Sequence, residues 1–407
     1  MPPEHTDFLI LGAGPSGLAF AHALIEGGVA PDRIRVLEKE EEPGGLCRSA
    51  AVDGAPLDIG GGHFLDTRRP DVMRFLFRFL PEADWQAFDR VARIRIHGQE
   101  TDHPLESNLW QLPLDRRIDY LESVARSGSS SGRPAPDTFE EWVRWKFGER
   151  IAEDYMLPYN RKLWASDLDH MGVGWLHKLP DVSFRDTLRS CLENRSHARL
   201  PAHARFLYPR AHGYGEVWRR MGQALGGRLV TGCPVTRIDP GTRTVNGRWS
   251  GAVLVNTLPW PIWRFCCAMP AAVENAIDSL RHVPIDVDYV AQDAGSDAHW
   301  IYEPDPSVAH HRKLLRPNFI PGARGHWTEA RPTRSPANAM WRHRNEYAYP
   351  VQTTGLEAAR SVIDAWASAR GILPLGRWGR WEHINSDVAV EQAFAAAIDA
   401  IRRQAVR

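Results

Sequence analysis

The chain has 407 residues, with 50 basic and 50 acidic side chains and 43% hydrophobic residues. This length accommodates two or three domains with sizeable cores, and the balanced charge argues against a nucleic-acid or membrane partner. Five cysteines without metal-ligand spacing, and an N-terminus without a basic segment followed by an apolar run, favour a reduced cytoplasmic protein without a bound metal.

The first predicted unit is a strand, a tight glycine turn and a helix in DFLILGAGPSGLAFAHAL. Gly12, Gly14 and Gly17 have the G-x-G-x-x-G spacing of a dinucleotide-binding turn. The first glycine turns the chain, the second lets the backbone approach a pyrophosphate, and the third lets the helix pack on the strand. Ser16 lies in the first turn of this helix, whose N-terminus faces the phosphate charge. A second strand, RIRVLEKE, ends at Glu38, which is placed to accept hydrogen bonds from ribose hydroxyls.

Two glycine-rich segments follow this acid, EEPGGLCRS and LDIGGGHF. Together with the dinucleotide-binding unit, they resemble the FAD-binding amine-oxidase and mutase superfamily. The resemblance implies FAD as the cofactor, with Gly45 and Arg48 near its pyrophosphate. It also implies that the loop with Gly61, Gly62 and His63 passes the isoalloxazine ring. His63 is then expected to orient this loop and contact the flavin, rather than bind a metal.

The last forty residues, from PLGRWGRWEHINSD onward, return to the same cofactor. The segment from Val388 is alanine-rich with helical apolar spacing, and Ser386 and Asp387 are good N-cap residues for it. In flavoproteins of this superfamily such a segment contacts FAD from the far side. The resemblance therefore adds Arg377 and Asp387 to the expected cofactor site, with Val235 from the strand segment RLVTGCPVTRID.

These segments predict an α/β protein that combines a Rossmann-like FAD-binding domain with two inserted parts. The FAD-binding domain is discontinuous and comprises residues 1–66, 205–268 and 370–407. Residues 67–204 contain the amphipathic segment TFEEWVRWKFGERIAEDYMLPYNRKLW and predict a mainly helical insert at the substrate cleft. Residues 269–369 are expected to form an antiparallel β-sheet substrate domain.

Further motifs, all in the matching order, resemble UDP-galactopyranose mutases. They are the PYNRKLWA segment, FLYPRAHGYGEVW, WIYEPDPSVAHHRKLLRPNFIP, EYAYPV and GRWGRWEHINSD. The resemblance implies a flavin-dependent mutase of furanose biosynthesis that interconverts pyranose and furanose forms of a nucleotide sugar. Reduced FAD is the active form: its N5 attacks the anomeric carbon and displaces the nucleotide diphosphate, and the sugar ring opens and recloses without net oxidation. The expected partners are a nucleotide-diphosphate sugar, an external reductant such as NAD(P)H, and a second copy of the chain in a homodimer.

The same resemblance assigns residues to the substrate cleft. Arg312 matches the arginine that binds the diphosphate, for which a guanidinium is well suited. Tyr302 and Tyr349 match tyrosines that donate hydroxyl hydrogen bonds to the same phosphates. Catalysis is expected from His63, Arg312 and Tyr349. The other residues implied at the substrate are Asn160, Trp164 and Tyr347.

The chain departs from the mutase pattern at three places. His383 stands where the family has a tyrosine that reaches the diphosphate, and the second diphosphate cation is either Lys178 or Arg185 in WLHKLPDVSFR. HPLESNLW replaces the family's P-F-Q-N-N, which puts Glu106 and Asn108 at the nucleobase. A carboxylate suits the N–H donors of guanine better than the O4 carbonyl of uracil. The sequence therefore predicts that a strong uridine preference is lost.

Two other functions stay open at this point. An FAD-dependent amine-oxidase-type oxidoreductase, acting on an amine, carotenoid or porphyrin-like substrate, needs an apolar or aromatic-walled cleft without a phosphate clamp. A non-catalytic flavin-binding module needs neither such a cleft nor a phosphate clamp. Arg312 together with Tyr302 and Tyr349 favours the mutase over the oxidase, and the departures at His383 and Glu106 keep the binding module open.

Overall fold

The structure is a computed structural model that describes residues 2–164, 168–176, 183–197, 203–332, 336 and 338–405. It contains a mostly parallel sheet flanked by helices, a large antiparallel sheet, and a group of helices beside that second sheet. This arrangement confirms the predicted α/β fold class. Over the described ranges, no helix is both long enough and apolar enough to cross a bilayer.

The parallel sheet is built around two strands that are buried on both faces, as parallel strands covered by helices require. The central strand ends in the fully buried run Phe8–Leu11. The strands are β1 (Glu4–Leu11), β2 (Ile34–Leu37), β10 (Leu229–Val230), β11 (Ile238–Asp239), β12 (Thr244–Val245), β13 (Trp249–Asn256) and β19 (Ile372–Pro374). Their order is β10-β2-β1-β13-β12-β11, with β19 also paired to β13. The β11–β12 and β12–β13 pairs are antiparallel, and the other pairs are parallel.

Helices pack on this sheet, and the first follows the glycine turn directly. It begins at Pro15, a position where the missing N–H of proline leaves no helical hydrogen bond unmade. A Cβ at Gly17 would lie 2.1 Å from the carbonyl oxygen of Gly12, so only glycine lets the helix sit this close to the turn. The helices are α1 (Pro15–Glu26), α7 (Gly215–Leu225), α8 (Trp260–Cys266), α9 (Ala271–Ser279), α10 (Leu356–Ser368), α11 (Gly376–Gly379) and α12 (Ser386–Ala405). The first and last of these, α1 and α12, pack against each other, which joins the two ends of the chain in one layer.

The antiparallel sheet carries much of the second half of the chain. Its strands are β7 (Ala92–Ile96), β8 (Gln99–Asp102), β14 (His282–Val290), β15 (Trp300–Tyr302), β16 (Arg312–Leu314), β17 (His326–Ala330) and β18 (Trp341–Pro350). Their order is β18-β14-β17-β16-β15-β7-β8, and only β15 and β7 pair in parallel. Residues 67–204 therefore contribute two strands to this sheet in addition to helices. The three-part division of the chain into domains stays a prediction.

Five more helices lie in the first half of the chain, and two of them line the second of the two cavities described below. They are α2 (Pro70–Phe77), α3 (Leu114–Ala125), α4 (Phe139–Ile151), α5 (Leu157–Trp164) and α6 (Phe184–Glu193), and a π-helical turn (Ala152–Met156) joins α4 to α5. The remaining strands form a hairpin of β3 (Ser49–Val52) and β4 (Ala55–Asp58), and a small sheet of β5 (Leu65–Asp66), β9 (Arg205–Pro209) and β6 (Trp85–Asp89). The loop between β4 and β5 contains the predicted flavin loop, Gly60 to His63.

Candidate active site

A cavity of about 560 Å³ opens at the carboxyl ends of β1, β2 and β13. This is the edge of an open α/β sheet where dinucleotides bind, and the volume lies in the range of cofactor sites. Most residues predicted at the cofactor line it, namely Gly12, Gly14, Ser16, Glu38, Gly45, Arg48, His63, Val235 and Arg377. Tyr347, which was predicted at the substrate, lines this large cavity instead of the second one.

The glycine turn and Glu38 have the geometry that a dinucleotide requires. A Cβ built at Gly14 meets nothing within 4 Å, so the turn leaves open space where a pyrophosphate would approach the backbone. The buried Glu38 carboxylate is held at the end of β2 because it accepts hydrogen bonds from the N–H groups of Ala13 (2.7 Å) and Glu40 (3.0 Å). Each oxygen retains a lone pair for a ribose hydroxyl. The residues present therefore fit a dinucleotide such as FAD.

Two arginines supply positive charge to the large cavity. Arg48 donates from Nε to the Gly45 carbonyl (3.2 Å) and pairs through Nη1 with Glu40 (3.3 Å). Arg377 donates from Nε (3.1 Å) and Nη2 (2.6 Å) to the Ile384 carbonyl, and from Nη1 to that of Ala348 (2.9 Å). Within the described part of the chain, no carboxylate forms an ion pair with Arg377. Its guanidinium is therefore fixed in position with an uncompensated charge that suits an anionic ligand.

Four residues predicted at the cofactor do not line the large cavity, and one of them, Gly62, lines the smaller cavity described next. Gly17 is buried beneath the turn, where the sequence predicts its packing role. Gly61 approaches a buried glutamate of the antiparallel sheet rather than either cavity. Asp387 accepts a hydrogen bond from Arg69 Nε (2.8 Å) and is buried, whereas its neighbour Ser386 lines both cavities.

A second, smaller cavity of about 310 Å³ adjoins the first. His63, Arg377, Asn385 and Ser386 line both, so they form the boundary between the two. The small cavity collects most residues predicted at the substrate or the flavin loop, namely Gly62, His63, Glu106, Asn160, Trp164, Tyr302, Arg312, Tyr349 and His383.

His63 stands at this boundary in a defined protonation state. Its Nδ1 lies 3.0 Å from the Gly61 carbonyl, and because a carbonyl only accepts, Nδ1 carries the proton. Burial, followed by the charge of Arg377, lowers the pKa of His63 to about 4. The imidazole is therefore neutral at pH 7 and presents Nε2 as an acceptor.

Arg312 lies in the small cavity beside a buried carboxylate that the sequence did not reveal. Glu329 is its direct cross-strand partner in the β16–β17 pair, and Arg312 Nη2 contacts both carboxylate oxygens (2.7 and 2.6 Å). Burial alone would raise the pKa of Glu329, but the charge of Arg312 holds it at about 2. Arg312 Nε has no hydrogen-bond partner in the described structure. Glu329 thus holds the arginine through Nη2, and the rest of the guanidinium lies at the cavity.

The tyrosines of the small cavity can act as hydroxyl donors. The hydroxyl of Tyr302 accepts a hydrogen bond from Trp300 Nε1 (3.0 Å), which leaves its own proton to donate. Burial, then the charge of Glu329, raises the pKa of Tyr349, so this side chain stays a phenol near neutral pH. The Tyr349 ring contacts the rings of Trp164 and His383 edge to face, at 6.0 and 5.3 Å between centroids.

Asn160 and Trp164 form a fixed pair on α5. Trp164 Nε1 donates to Asn160 Oδ1 (2.9 Å), and Asn160 Nδ2 donates to the Met156 carbonyl (2.7 Å). These two bonds orient the Asn160 amide and leave one hydrogen and one lone pair for a ligand. Both residues therefore line the cavity as rigid groups.

The structure adds a further guanidinium to the small cavity, that of Arg90, besides those of Arg312 and Arg377. It donates to His103 Nδ1 and lies over the ring of Trp300, 5.3 Å from the centroid. Burial lowers the pKa of His103 well below its usual value, so this ring is neutral. Sequence reasoning missed Arg90 because FDRVARIRI contains three arginines and their spacing does not distinguish one of them.

Tyr155 and Tyr159 are two further cavity residues that sequence reasoning missed. They are four residues apart, and their rings lie 6.0 Å from each other. Tyr159 also contacts the Tyr302 ring edge to face, at 5.5 Å. Their i, i+4 spacing beside Asn160 was the available signal, since residues four apart share a helix face.

The remaining predicted substrate residues divide into three cases. Lys178 lies outside the described residues, and Arg185 is exposed on α6 and lines neither cavity. Asn108 donates to the Pro104 carbonyl (2.9 Å) and holds the turn rather than lining the cavity. Glu106 does line it, with only 4% of its surface exposed and with no hydrogen-bond partner for Oε1 in the described structure. Burial raises the pKa of Glu106 to about 7, although Lys146 opposes this shift.

Comparisons with known proteins agree with this architecture. A model of the NAD(P)-binding Rossmann-like domain matches residues 10–79. The crystal structure of reduced UDP-galactopyranose mutase superposes with a TM-score of 0.85 and 24% identity, covering 99% of this chain and 95% of that one. The chain therefore has the fold of UDP-galactopyranose mutase, which confirms the resemblance at the level of the fold.

Curated relatives match shorter segments. dTDP-fucopyranose mutase of Escherichia coli is 22% identical over 177 residues, or 42% of this chain and 45% of that protein. Coproporphyrinogen III oxidase of Mycobacterium tuberculosis is 33% identical over 98 residues, or 24% of this chain and 21% of that protein. The matches thus span less than half the length of these two relatives.

Proposed function

We propose that this protein is an FAD-dependent nucleotide-sugar mutase that interconverts pyranose and furanose forms. The observation that carries the proposal is the small cavity. It holds the guanidinium groups of Arg312 and Arg90 with the hydroxyl donors Tyr302 and Tyr349, and it meets the dinucleotide cavity at His63 and Arg377. Cations and hydroxyls in this arrangement suit a diphosphate next to a flavin. The shared fold and the partial match to dTDP-fucopyranose mutase support the same reading.

FAD would occupy the large cavity. Glu38 would accept hydrogen bonds from a ribose, the turn at Gly14 and the N-terminus of α1 would face the pyrophosphate, and Arg48 and Arg377 would compensate its charge. In its reduced form, FAD would supply the nucleophile for the anomeric carbon of the sugar without net oxidation. An external reductant such as NAD(P)H, a homodimer and a cytoplasmic location remain predictions.

Arg312 and Arg90 would stabilise the departing nucleotide diphosphate. Negative charge grows on the bridging oxygen as its bond to the anomeric carbon breaks, so donors fixed beforehand stabilise the transition state more than the ground state. Glu329 keeps the Arg312 guanidinium in place before the ligand arrives. Tyr302 and Tyr349 would add neutral hydroxyl donors to the same phosphates.

The aromatic wall of the cavity would exclude water and hold the sugar. Trp164, Tyr155 and Tyr159 line it, and the oriented amide of Asn160 offers one donor and one acceptor to sugar hydroxyls. Neutral His63 would accept a hydrogen bond at the boundary between cofactor and sugar. Fixed contacts of this kind lower the barrier by holding the reacting atoms in one geometry.

The decisive experiment incubates dithionite-reduced protein with UDP-, GDP- and dTDP-hexoses and separates the products by chromatography. We expect the pyranose and furanose forms of at least one nucleotide sugar to interconvert, with no consumption of oxygen or reductant per turnover. The oxidised protein and Arg312→Ala serve as controls: the oxidised protein should be inactive, and Arg312→Ala should be strongly impaired. Absence of isomerisation with every nucleotide sugar would contradict the proposal.

An amine-oxidase-type activity is the second candidate, because the small cavity also has the aromatic wall that such substrates require. The partial match to coproporphyrinogen III oxidase is in line with it. Oxygen uptake on addition of an amine or a porphyrinogen, with no effect of Arg312→Ala, would favour this reading. FAD binding without either activity would favour a non-catalytic flavin-binding module.

A further inference from the structure

Glu329 contacts both the diphosphate-binding arginine and the loop between the two cavities. It lies on β17, directly opposite Arg312 on β16, and accepts from Arg312 Nη2 with both oxygens. Its Oε1 also accepts from the backbone N–H of Gly62 at 3.0 Å. One fully buried carboxylate thus joins a cation of the small cavity to the loop that carries His63.

This loop lies against the carboxylate with no room for a side chain. A Cβ at Gly61 would lie 2.7 Å from Glu329 Oε1, and Gly61 also has a φ of +92°, which glycine adopts at low cost. A Cβ at Gly62 would lie 2.3 Å from Leu314 of β16. The position of the loop is therefore constrained by β16, β17 and the Glu329 carboxylate.

The loop also reaches the large cavity through its last residue. His63 lines both cavities, and its Nδ1–H donates to the Gly61 carbonyl. A ligand that fills the large cavity would press on His63, and this would fix Gly61 and Gly62 against Glu329. A ligand on Arg312 would act on the same carboxylate from the other side.

The charges make this contact responsive to an anion. The Glu329 carboxylate is ionised, and its oxygens face the Arg312 guanidinium, the Gly62 N–H and, 3.6 Å from Oε2, Nε2 of the buried His311. An anion that binds Arg312 competes for the guanidinium charge, so the carboxylate relies more on the Gly62 N–H. Since buried charges tolerate little loss of hydrogen bonding, the loop is held more firmly when Arg312 is occupied.

We infer that Glu329 couples binding at the two cavities: an anionic ligand on Arg312 tightens the hold of the protein on the dinucleotide, and the dinucleotide favours the anion in return. The inference rests on the proposed function, because it takes FAD and a nucleotide diphosphate as the two occupants. Glu329 is thus a positioning residue that acts through Arg312 and through the His63 loop. Coupling between two sites is reciprocal, and it changes affinities by roughly fivefold to a hundredfold.

The test measures release of FAD from the holoenzyme with and without UDP. The holoenzyme is diluted, and the rise of FAD fluorescence gives the release rate, at UDP concentrations that saturate binding measured separately by calorimetry. We expect UDP to slow release at least about fivefold in the wild-type protein. This rate is independent of turnover, so it separates coupling from catalysis.

Glu329→Gln is the informative variant because it removes the charge while preserving shape. Arg312 keeps its charge, so UDP still binds, but saturating UDP should change FAD release less than twofold. Asp288→Asn is the matched control. Asp288 is also fully buried in the same sheet and also pairs with its cross-strand arginine, Arg342, but neither residue lines a cavity. This control should retain the wild-type effect of UDP.

Each outcome decides the inference. Equal slowing by UDP in wild type and Glu329→Gln would mean that the nucleotide simply obstructs the exit of FAD, and the coupling through Glu329 would be wrong. UDP binding without slowing in the wild-type protein overturns the inference and leaves the proposed function intact, whereas failure of every nucleotide diphosphate to bind overturns both. If Glu329→Gln does not fold, Glu329→Asp keeps the charge but shortens the side chain by one methylene, and it should still lose most of the slowing.

Discussion

The nucleotide preference of this protein should change with pH, because Glu106 is a buried carboxyl group in the small cavity. When neutral, it offers one O–H donor and one carbonyl acceptor, the pair that O4 and N3–H of uracil require. When ionised, it only accepts, which suits N1–H and N2–H2 of guanine. We therefore expect a preference for UDP at low pH and a gain for GDP as the pH rises.

The size of the effect follows from the position of the Glu106 pKa. Burial raises this pKa to about 7, so the group is neutral below that pH and ionised above it. The neutral fraction falls from roughly nine-tenths at pH 6 to roughly one-tenth at pH 8. If each base binds only its own form of Glu106, the ratio of the UDP to the GDP dissociation constant rises about tenfold per pH unit, or about a hundredfold over this window.

The groups around Glu106 do not obscure this signal. The backbone N–H of Glu106 and the charge of Lys146 on α4 oppose the rise of the Glu106 pKa, and burial outweighs both. Arg90 and Tyr155 share the cavity and keep one charge state in the window, and the pKa of His103 lies well below its usual value. Protonation of the terminal phosphate affects UDP and GDP alike and cancels in the ratio.

The assay is calorimetric titration of the holoenzyme with UDP and with GDP at pH 6, 7 and 8. Glu106→Gln is the matched variant, because an amide presents a donor and an acceptor at every pH. In this variant, the ratio of the UDP to the GDP dissociation constant should stay constant with pH and favour UDP. A wild-type ratio that does not move with pH, or a glutamine variant that moves with it, would refute the role of Glu106 at the base. If the prediction holds, the uridine preference is lost only at pH values above the pKa of Glu106.

Three further experiments test the two cavities. Arg312→Ala should lower kcat/KM by an amount that corresponds to a loss of roughly 2–4 kcal/mol in transition-state stabilisation, while FAD stays bound. Product formation measures kcat/KM, and flavin absorbance measures bound FAD. A kcat/KM equal to that of the wild type would place the diphosphate elsewhere. Gly17→Ala should lower the melting temperature of the apoprotein because its Cβ meets a backbone carbonyl, whereas Gly14→Ala should keep the melting temperature of the apoprotein and lose FAD. The reverse pattern would contradict the glycine assignments. Arg90→Gln should weaken UDP binding about tenfold or more, measured by calorimetry. Arg95→Gln, which replaces an exposed arginine outside the cavity, should leave UDP binding unchanged. Equal effects of the two substitutions would mean that Arg90 does not bind the diphosphate.

The cofactor half of the site could be predicted from sequence because its determinants are local. Gly12, Gly14 and Glu38 lie within 27 consecutive residues, and one strand–turn–helix–strand unit brings them to the same sheet edge. The spacing alone therefore indicates the chemistry. Asp387 shows the limit of local patterns. The sequence does not distinguish an N-cap residue from a residue that lines the cavity, and only the structure shows that Asp387 accepts a hydrogen bond from Arg69 instead.

The substrate half depended on contacts that no local pattern encodes. Arg312 was found from a motif, but its partner Glu329 is 17 residues away and is defined by the register of β16 and β17. Arg90 reaches the same cavity because β7 pairs with β15, a contact between segments about 200 residues apart in the chain. Pairing of distant strands sets these positions, so the residues that surround a ligand could be predicted only where a resemblance named them.

The charges in the small cavity favour the proposed mutase reaction over an amine-oxidase-type reaction. A buried ion pair such as Arg312–Glu329 is expensive, since desolvation of the two ions offsets much of their attraction, and apolar residues of similar volume are often equally stable there. An aromatic-walled site for amines would need neither this pair nor a second guanidinium at Arg90. Stability alone therefore does not explain why the cavity contains them. A ligand with phosphate charge does, because it is the partner for which fixed arginines give the largest gain in binding and in transition-state stabilisation.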